Sequence, residues 1–175
     1  MKIELKKIKI NLTFSEETTM FQAELAVNGV VIGYANNDGR GGCTEYGILY
    51  YDLSPEIIAR NRKLLAEAEA YCKTLPSIHS EELDVDFDMD LEGFIDDLVT
   101  AELRKKEQKK VEKKMVDTIM WGKPKGNSYM QAKFKIPLAK IPLFKLQEIV
   151  DKYKKEFKEG DEFLNTNFEA LGVKL

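Results

Sequence analysis

Glycine, amide, acid and one arginine crowd into the run Asn36-Asn37-Asp38-Gly39-Arg40-Gly41-Gly42-Cys43-Thr44-Glu45-Tyr46. Successive glycines let backbone N–H groups point into one concavity, a nest suited to a phosphate or a carboxylate. Arg40 could bind such oxyanions bidentately, and Thr44 and Tyr46 add hydroxyls. Asp38, Gly39, Arg40, Gly41, Gly42, Thr44 and Tyr46 are therefore the candidate contacts for a small anionic ligand or a protein partner. The competing reading is a plain connection: Asp38-Gly39 makes a turn, and the glycines let the chain leave a hairpin and cross the sheet.

A second candidate combines lysines with aromatic residues: Trp121, Lys123, Lys125, Tyr129, Lys133 and Lys135, with Phe134 nearby. Aromatic rings between lysines on a sheet can stack bases while the charges track phosphates, as single-stranded nucleic acid requires. No RNP-like motif accompanies them, and lysine outside with phenylalanine inside is what any two-faced strand shows.

No catalytic constellation emerges. His79 is the single histidine and lies beyond a helix end in an acidic linker. A histidine-based zinc site is therefore not expected, and Cys43 and Cys72 form no C-x-x-C half-site. A Cys43–His79 nucleophile pair has no local signature to support it. P-loop, zincin and nucleophile-elbow spacings are absent, and Gly39-Arg40-Gly41-Gly42 lacks the spacing and the following helix of a dinucleotide fingerprint. The acids Glu81, Glu82, Asp84, Asp86, Asp88 and Asp90 suggest a calcium loop. They lack its glycine at position six and glutamate at position twelve. No catalytic residue, metal or cofactor is expected.

The elements that must position these residues follow from period and punctuation. Ile3 and Leu5 alternate on one side, then Ile8, Ile10, Leu12 and Phe14 on the other, so a strand with a bulge or bend at Lys6-Lys7 is predicted. Met20–Val27 and Val30–Ala35 form a hairpin around Asn28-Gly29, a pair that accepts the positive φ angles of a type I′ turn. Ile48–Tyr51 is read as a short strand or extended entry. Ser54-Pro55-Glu56 opens a helix that keeps its apolar spacing through Leu75 and stops at Pro76. Cys72 falls on its buried stripe, as a small hydrophobe.

Residues 77–90 alternate acid with Leu83, Val85, Phe87 and Met89, which predicts an extended edge segment with a solvated acidic face. A second helix is expected from about Leu91 to Met115. Its first half has a core stripe of Leu91, Phe94, Ile95 and Leu98. Its second half, Arg104 to Lys114, is polar all round, so it protrudes, bridges two lobes or meets a charged partner. Strands then return at Met115–Trp121 and Tyr129–Ile136, a third helix runs from about Leu143 to Gly160, and Asp161–Phe168 is the last strand.

A chain of 175 residues, 43% hydrophobic and 33% charged, can bury a core and has no apolar run near the roughly 20 residues needed to cross a bilayer. Met1–Lys7 alternates instead of forming an apolar signal core, which predicts a cytoplasmic protein with free thiols. The net charge of −3 conceals a division. Residues 1–103 carry 9 Lys+Arg against 20 Asp+Glu, and residues 104–175 carry 18 against 10. The halves are thus −11 and +8. They neutralise one another within a monomer or across an oligomer, or the basic half faces an anionic partner.

Asp38–Thr44, the helix end Glu69-Ala70-Tyr71-Cys72-Lys73-Thr74-Leu75-Pro76 and Leu164-Asn165-Thr166-Asn167 together resemble a group of small proteins encoded in gut-bacterial genomes, their phages and mobile elements. That resemblance implies a cytoplasmic accessory protein of phage–host or plasmid–host biology and assigns no residue a role. The fold expected is α+β, antiparallel sheets with helices packed on one face. Residues 1–76 form a meander plus helix, 77–114 the acidic linker and charged helix, and 115–175 a hairpin, helix and terminal strand. They build either one compact domain or two small lobes joined by the charged helix. The function expected is non-enzymatic binding through the glycine-rich loop, with single-stranded nucleic-acid binding by the basic half as the alternative.

Overall fold

The computed structural model describes residues 1–80, 84–124, 126 and 128–175, with Ser80 described by its backbone alone. The fold is α+β, with three α-helices and antiparallel sheets. The chain divides into two compact units, Met1–Leu103 and Arg104–Leu175. The division falls inside the charged helix.

In the first unit, β1 (Ile3–Ile10), β2 (Phe21–Val27), β3 (Val30–Asn37) and β4 (Glu45–Ile48) form one sheet in that order. The β1–β2 register jumps between Lys6 and Lys9, and Lys7 has φ +50°. This bulge is the phase change visible in the sequence. Asn28 and Gly29, at φ +49° and +84°, make the tight hairpin. Two strand limits are corrected. Leu12–Phe14 is a single 3-10 turn, started by the Asn11 side chain accepting from the Thr13 N–H at 3.1 Å, and both Leu12 and Phe14 are exposed. The fourth strand pairs through Glu45–Ile48, which leaves Leu49, Tyr50 and Tyr51 outside the ladder and exposed. Alternation alone predicted strand in both places, but a strand also needs a neighbour with free backbone groups.

Helix α1 (Pro55–Cys72) starts as expected, with the Ser54 hydroxyl accepting from the Ile57 N–H and proline in the first turn. Ala68 and Cys72 are fully buried in the core with Phe21, Leu25 and Ile32. Burial, with the Asp90 charge second, raises the Cys72 thiol pKa, consistent with a packing role. Asn61 is buried on the same helix because its amide donates to the Ile32 carbonyl at 3.3 Å.

Residues 77–90 depart from the predicted edge segment. Ile78–Ser80 (β5) and Val85–Phe87 (β6) pair only with each other, and Ile78, Val85 and Phe87 are exposed. His79 sits in this hairpin, 2.8 Å from an Asp86 carboxylate oxygen. Glu81, Glu82 and Leu83, part of the predicted alternation, lie outside the described residues. Helix α2 (Leu91–Met115) has the predicted extent. Leu91, Ile95 and Val99 enter the core, with Phe94 and Leu98 packed against it.

In the second unit, β7 (Thr118–Gly122) lies between β8 (Met130–Lys133) and β9 (Glu162–Phe163), and every residue of β7 is buried. Helix α3 (Leu143–Lys154) contributes Leu146 and Val150 to a core with Ile119, Trp121, Leu138 and Phe168. Three limits shorten here. The strand predicted over Tyr129–Ile136 ends at Lys133, with Ile136 exposed. The helix predicted to reach Gly160 stops at Lys154, and Gly160 at φ +84° belongs to a separate turn. The last strand is two residues because Asn165 takes over beyond it, accepting from the Met120 N–H at 2.6 Å and donating to the Thr118 carbonyl at 2.9 Å. Among the described residues, no helix is long and apolar enough to cross a membrane.

Candidate functional site

Asn37 closes β3 and organises the glycine loop that follows. Its amide nitrogen donates to the Gly42 carbonyl at 2.9 Å, and its amide oxygen accepts from the Gly39 N–H at 2.8 Å. The Arg40 N–H is held by the Asp38 carboxylate at 3.1 Å, and the Gly41 N–H by the Thr18 hydroxyl at 3.2 Å. Three N–H groups of the predicted nest, those of Gly39, Arg40 and Gly41, are thus engaged by the protein's own side chains. The Gly39 carbonyl accepts from the Glu16 and Glu17 N–H groups at 2.8 and 3.1 Å, which clamps the loop to residues 15–18. Gly39 is required there: at φ +85° an added Cβ would lie 2.6 Å from the Phe14 carbonyl oxygen.

Two of the predicted hydroxyls point inward. Thr44 is buried, donating to Asp96 Oδ1 at 2.6 Å while its N–H reaches Glu92 Oε1 at 2.9 Å. Tyr46 donates toward Glu69 at 3.4 Å. Desolvation, then the charges and hydrogen bond of Glu69, hold the Tyr46 phenol above its ordinary pKa. Asp38, Arg40, Gly41 and Gly42 remain exposed. Beside them lies a cleft of about 420 Å³ whose lining includes Glu16, Glu17, Thr18, Asn37 and Asp96. Desolvation and the like charges of Glu92, Asp97 and Asp90 raise the Asp96 pKa, against the lowering by Thr44. An anion at this loop would face carboxylates already repelling one another.

The lysine–aromatic set is split differently. Trp121 is 4% exposed and stacks on Tyr153 with ring centroids 4.7 Å apart. Its faces therefore belong to the core and offer no open platform. Lys133 is on β8, 4.0 Å from Asp117, and Lys135 lies beyond the strand end. Lys125 lies outside the described residues. Trp121, Lys123 and Tyr129 do come together, on the wall of a cleft of about 340 Å³ completed by Gly122, Gly126, Ser128, Met130, Glu156, Lys158 and Asp161. Such a volume is within the roughly 300–1,000 Å³ of small-molecule sites.

At Gly122 an added Cβ would sit 3.2 Å from both the Ser128 carbonyl oxygen and the Tyr129 Cα, a tight contact on the cleft lining. Tyr129 and Met130 are 44% and 61% exposed. The Lys114 ammonium, from the end of α2, is 2.8 Å from the Tyr129 hydroxyl and 5.4 Å from the ring centroid. It therefore lies off the hydroxyl edge and leaves the ring faces uncovered by it. The turn after α3 contributes Glu156, Lys158 and Asp161 to the same lining. Asp161 is engaged, accepting from the Lys158 N–H at 2.8 Å, whereas Glu156 has no ion pair among the described residues.

Sequence reading missed Lys114, Met130, Glu156, Lys158 and Asp161. Glycine at position 160, within a run whose apolar spacing ends at Phe157, is the one local signal that residues 155–161 form a turn. Nothing local tells that this turn lines the same cleft as Tyr129. Comparison of the chain with family models, with curated proteins and with solved structures finds no match in any of the three.

Proposed function

We propose that the protein is a non-enzymatic accessory binding protein whose working surface is the basic unit, Arg104–Leu175, and whose partner is single-stranded nucleic acid. The observation that carries this reading is the continuity between a basic helix and an aromatic cleft. Between Arg104 and Lys114, seven Lys or Arg face two Glu, and every residue except the half-buried Lys106 is exposed. A helix with no apolar face has nothing in its own unit to pack on, and its charge suits a polyanion. Lys114 at the end of this segment holds the rim of the Trp121–Tyr129 cleft, so backbone and base contacts would be adjacent. The same unit carries +8 overall.

This reading moves the contact away from Gly39–Gly42, where the Gly39, Arg40 and Gly41 N–H groups are occupied and the neighbours acidic. The exposed Arg40, with no ion pair among the described residues, keeps that loop as a second reading: a contact for a protein partner, not for a small anion. A cytoplasmic role in phage–host or plasmid–host biology follows from the resemblance given above and belongs to the same proposal.

Fluorescence anisotropy with a labelled single-stranded oligonucleotide tests the main reading. Binding should weaken linearly in log–log coordinates with salt, and the slope should fall by about one when a phosphate-contacting lysine is neutralised. The triple variant Lys109→Gln, Lys110→Gln, Lys113→Gln should show both a weaker affinity and a shallower slope. No binding at low salt, or binding indifferent to salt, would sink the proposal.

A further inference from the structure

The Trp121–Tyr129 cleft has a chemistry that a general phosphate-tracking surface does not need. Its lining is mixed. It includes Tyr129, with both ring faces free of the Lys114 ammonium, and the thioether of Met130. The same lining holds Glu156, a carboxylate with no ion pair among the described residues. Lys123 and Lys158 complete the lining, and the Lys123 side chain runs beside Gly160, 3.7 Å from where a Cβ would stand there.

We propose that this cleft is a slot for one guanine base of a nucleotide, free or within a single strand, read by Glu156 and stacked on Tyr129, with Lys123 and Lys158 at the phosphate. The proposal rests on the nucleic-acid reading above and adds the base.

Hydrogen-bond chemistry selects the base. A carboxylate has only acceptor oxygens, so it needs two adjacent N–H donors to be satisfied bidentately. Guanine presents N1–H beside its N2 amino group. Adenine and cytosine present an amino group beside a ring-nitrogen acceptor, which would face the second carboxylate oxygen. Uracil and thymine present one N–H between two carbonyl oxygens. Only guanine meets both oxygens without repulsion. A flat ring suits the aromatic wall, and every base has a π face, so stacking supplies affinity while Glu156 supplies choice. Asp161 is the weaker candidate, because its Oδ2 already accepts from the Lys158 N–H within the turn.

The chain's one tryptophan, Trp121, lies on the cleft wall and reports directly. The full-length protein would be titrated at low salt with GMP, AMP, CMP, UMP and inorganic phosphate, following tryptophan emission, and then with short single strands carrying one guanine or none. The expected result is a saturable emission change with GMP, at an affinity about tenfold or more above the other three nucleotides, and none with phosphate. Glu156→Gln, an exposed substitution, should abolish that preference while near-UV circular dichroism stays unchanged. The triple lysine variant of α2 should weaken oligonucleotides and leave GMP as it was.

Equal affinity for all four nucleotides, or a Glu156→Gln protein with its preference intact, overturns the slot. If oligonucleotides bind with steep salt dependence but without base preference or emission change, the slot fails and the nucleic-acid reading stands. If GMP binds selectively and oligonucleotides do not, the slot stands and the ligand is a free nucleotide. Binding of neither removes both.

Discussion

Thr44 is the residue at which function and packing part company. Its place in a glycine-rich run suggested an exposed hydroxyl for a ligand, yet its hydroxyl and N–H are spent on Asp96 and Glu92. Asp96 itself carries a pH dependence, set first by its desolvation and opposed by the Thr44 hydrogen bond. Because the folded Asp96 pKa is raised, its contribution to stability is present below its unfolded pKa and is lost as pH rises through the folded value. Asp96→Asn keeps an oxygen for Thr44 and removes a desolvated charge, together with its repulsion from Glu92, Asp97 and Asp90. The variant should therefore be more stable than wild type at pH 7, with the difference shrinking toward pH 4. Urea midpoints measured across that range check it; a difference that grows on acidification would contradict the assignment.

Gly39 and Gly42 lie three positions apart in one loop and have unlike requirements. Gly39→Ala must hold a Cβ at φ +85° and against the Phe14 carbonyl, so a loss of at least about 1–2 kcal/mol is expected. Gly42 has nothing within 4 Å of an added Cβ, so Gly42→Ala should leave the denaturation midpoint nearly unchanged. Equal effects of the two substitutions would show that the clamp on residues 15–18 is not what holds the loop.

At the scale of elements, the parts legible in the sequence are those whose signal is local. The type I′ hairpin needs only Asn28-Gly29, the bulge shows as a broken alternation at Lys6-Lys7, and α1 announces itself by Ser54-Pro55. Strand limits were less legible. Alternation continues through Leu12, Phe14 and Ile136, but no ladder is there to receive them. The end of the second sheet was least legible of all, since Asn165 replaces a strand with its side chain. Asn165→Leu would strand the buried Met120 N–H and the Thr118 carbonyl, at roughly 1–3 kcal/mol for each group. Chemical denaturation should show that loss; a variant as stable as wild type would mean that the two backbone groups find other partners.

For the whole molecule, the change of charge sign and the division into compact units fall at the same place, between Leu103 and Arg104. Residues on the N-terminal side carry −11 and those beyond carry +8, so a near-neutral protein is built from two strongly charged units. The segment just past the division is exposed, rich in trypsin sites and without an apolar face. It is therefore expected to open before the packed elements do. Limited trypsin digestion of the native protein is expected to cut first within Arg104–Lys114, identified by mass spectrometry of the fragments. First cuts within β7 or α3 would contradict that order of stability.

The sequence by itself determined the α+β class, the three helices, the antiparallel meander and the sign of each half's charge. These rest on periodicity, capping and composition, all properties of residues close together in the chain. Only the tertiary structure decided which polar groups remain available. It turned Thr44 and Tyr46 toward Glu92, Asp96 and Glu69, buried Trp121 against Tyr153, and brought Tyr129 and Glu156 to one cleft. Whether a donor is free or taken depends on what folds next to it, and the partners of these residues come from other elements, up to 52 positions away.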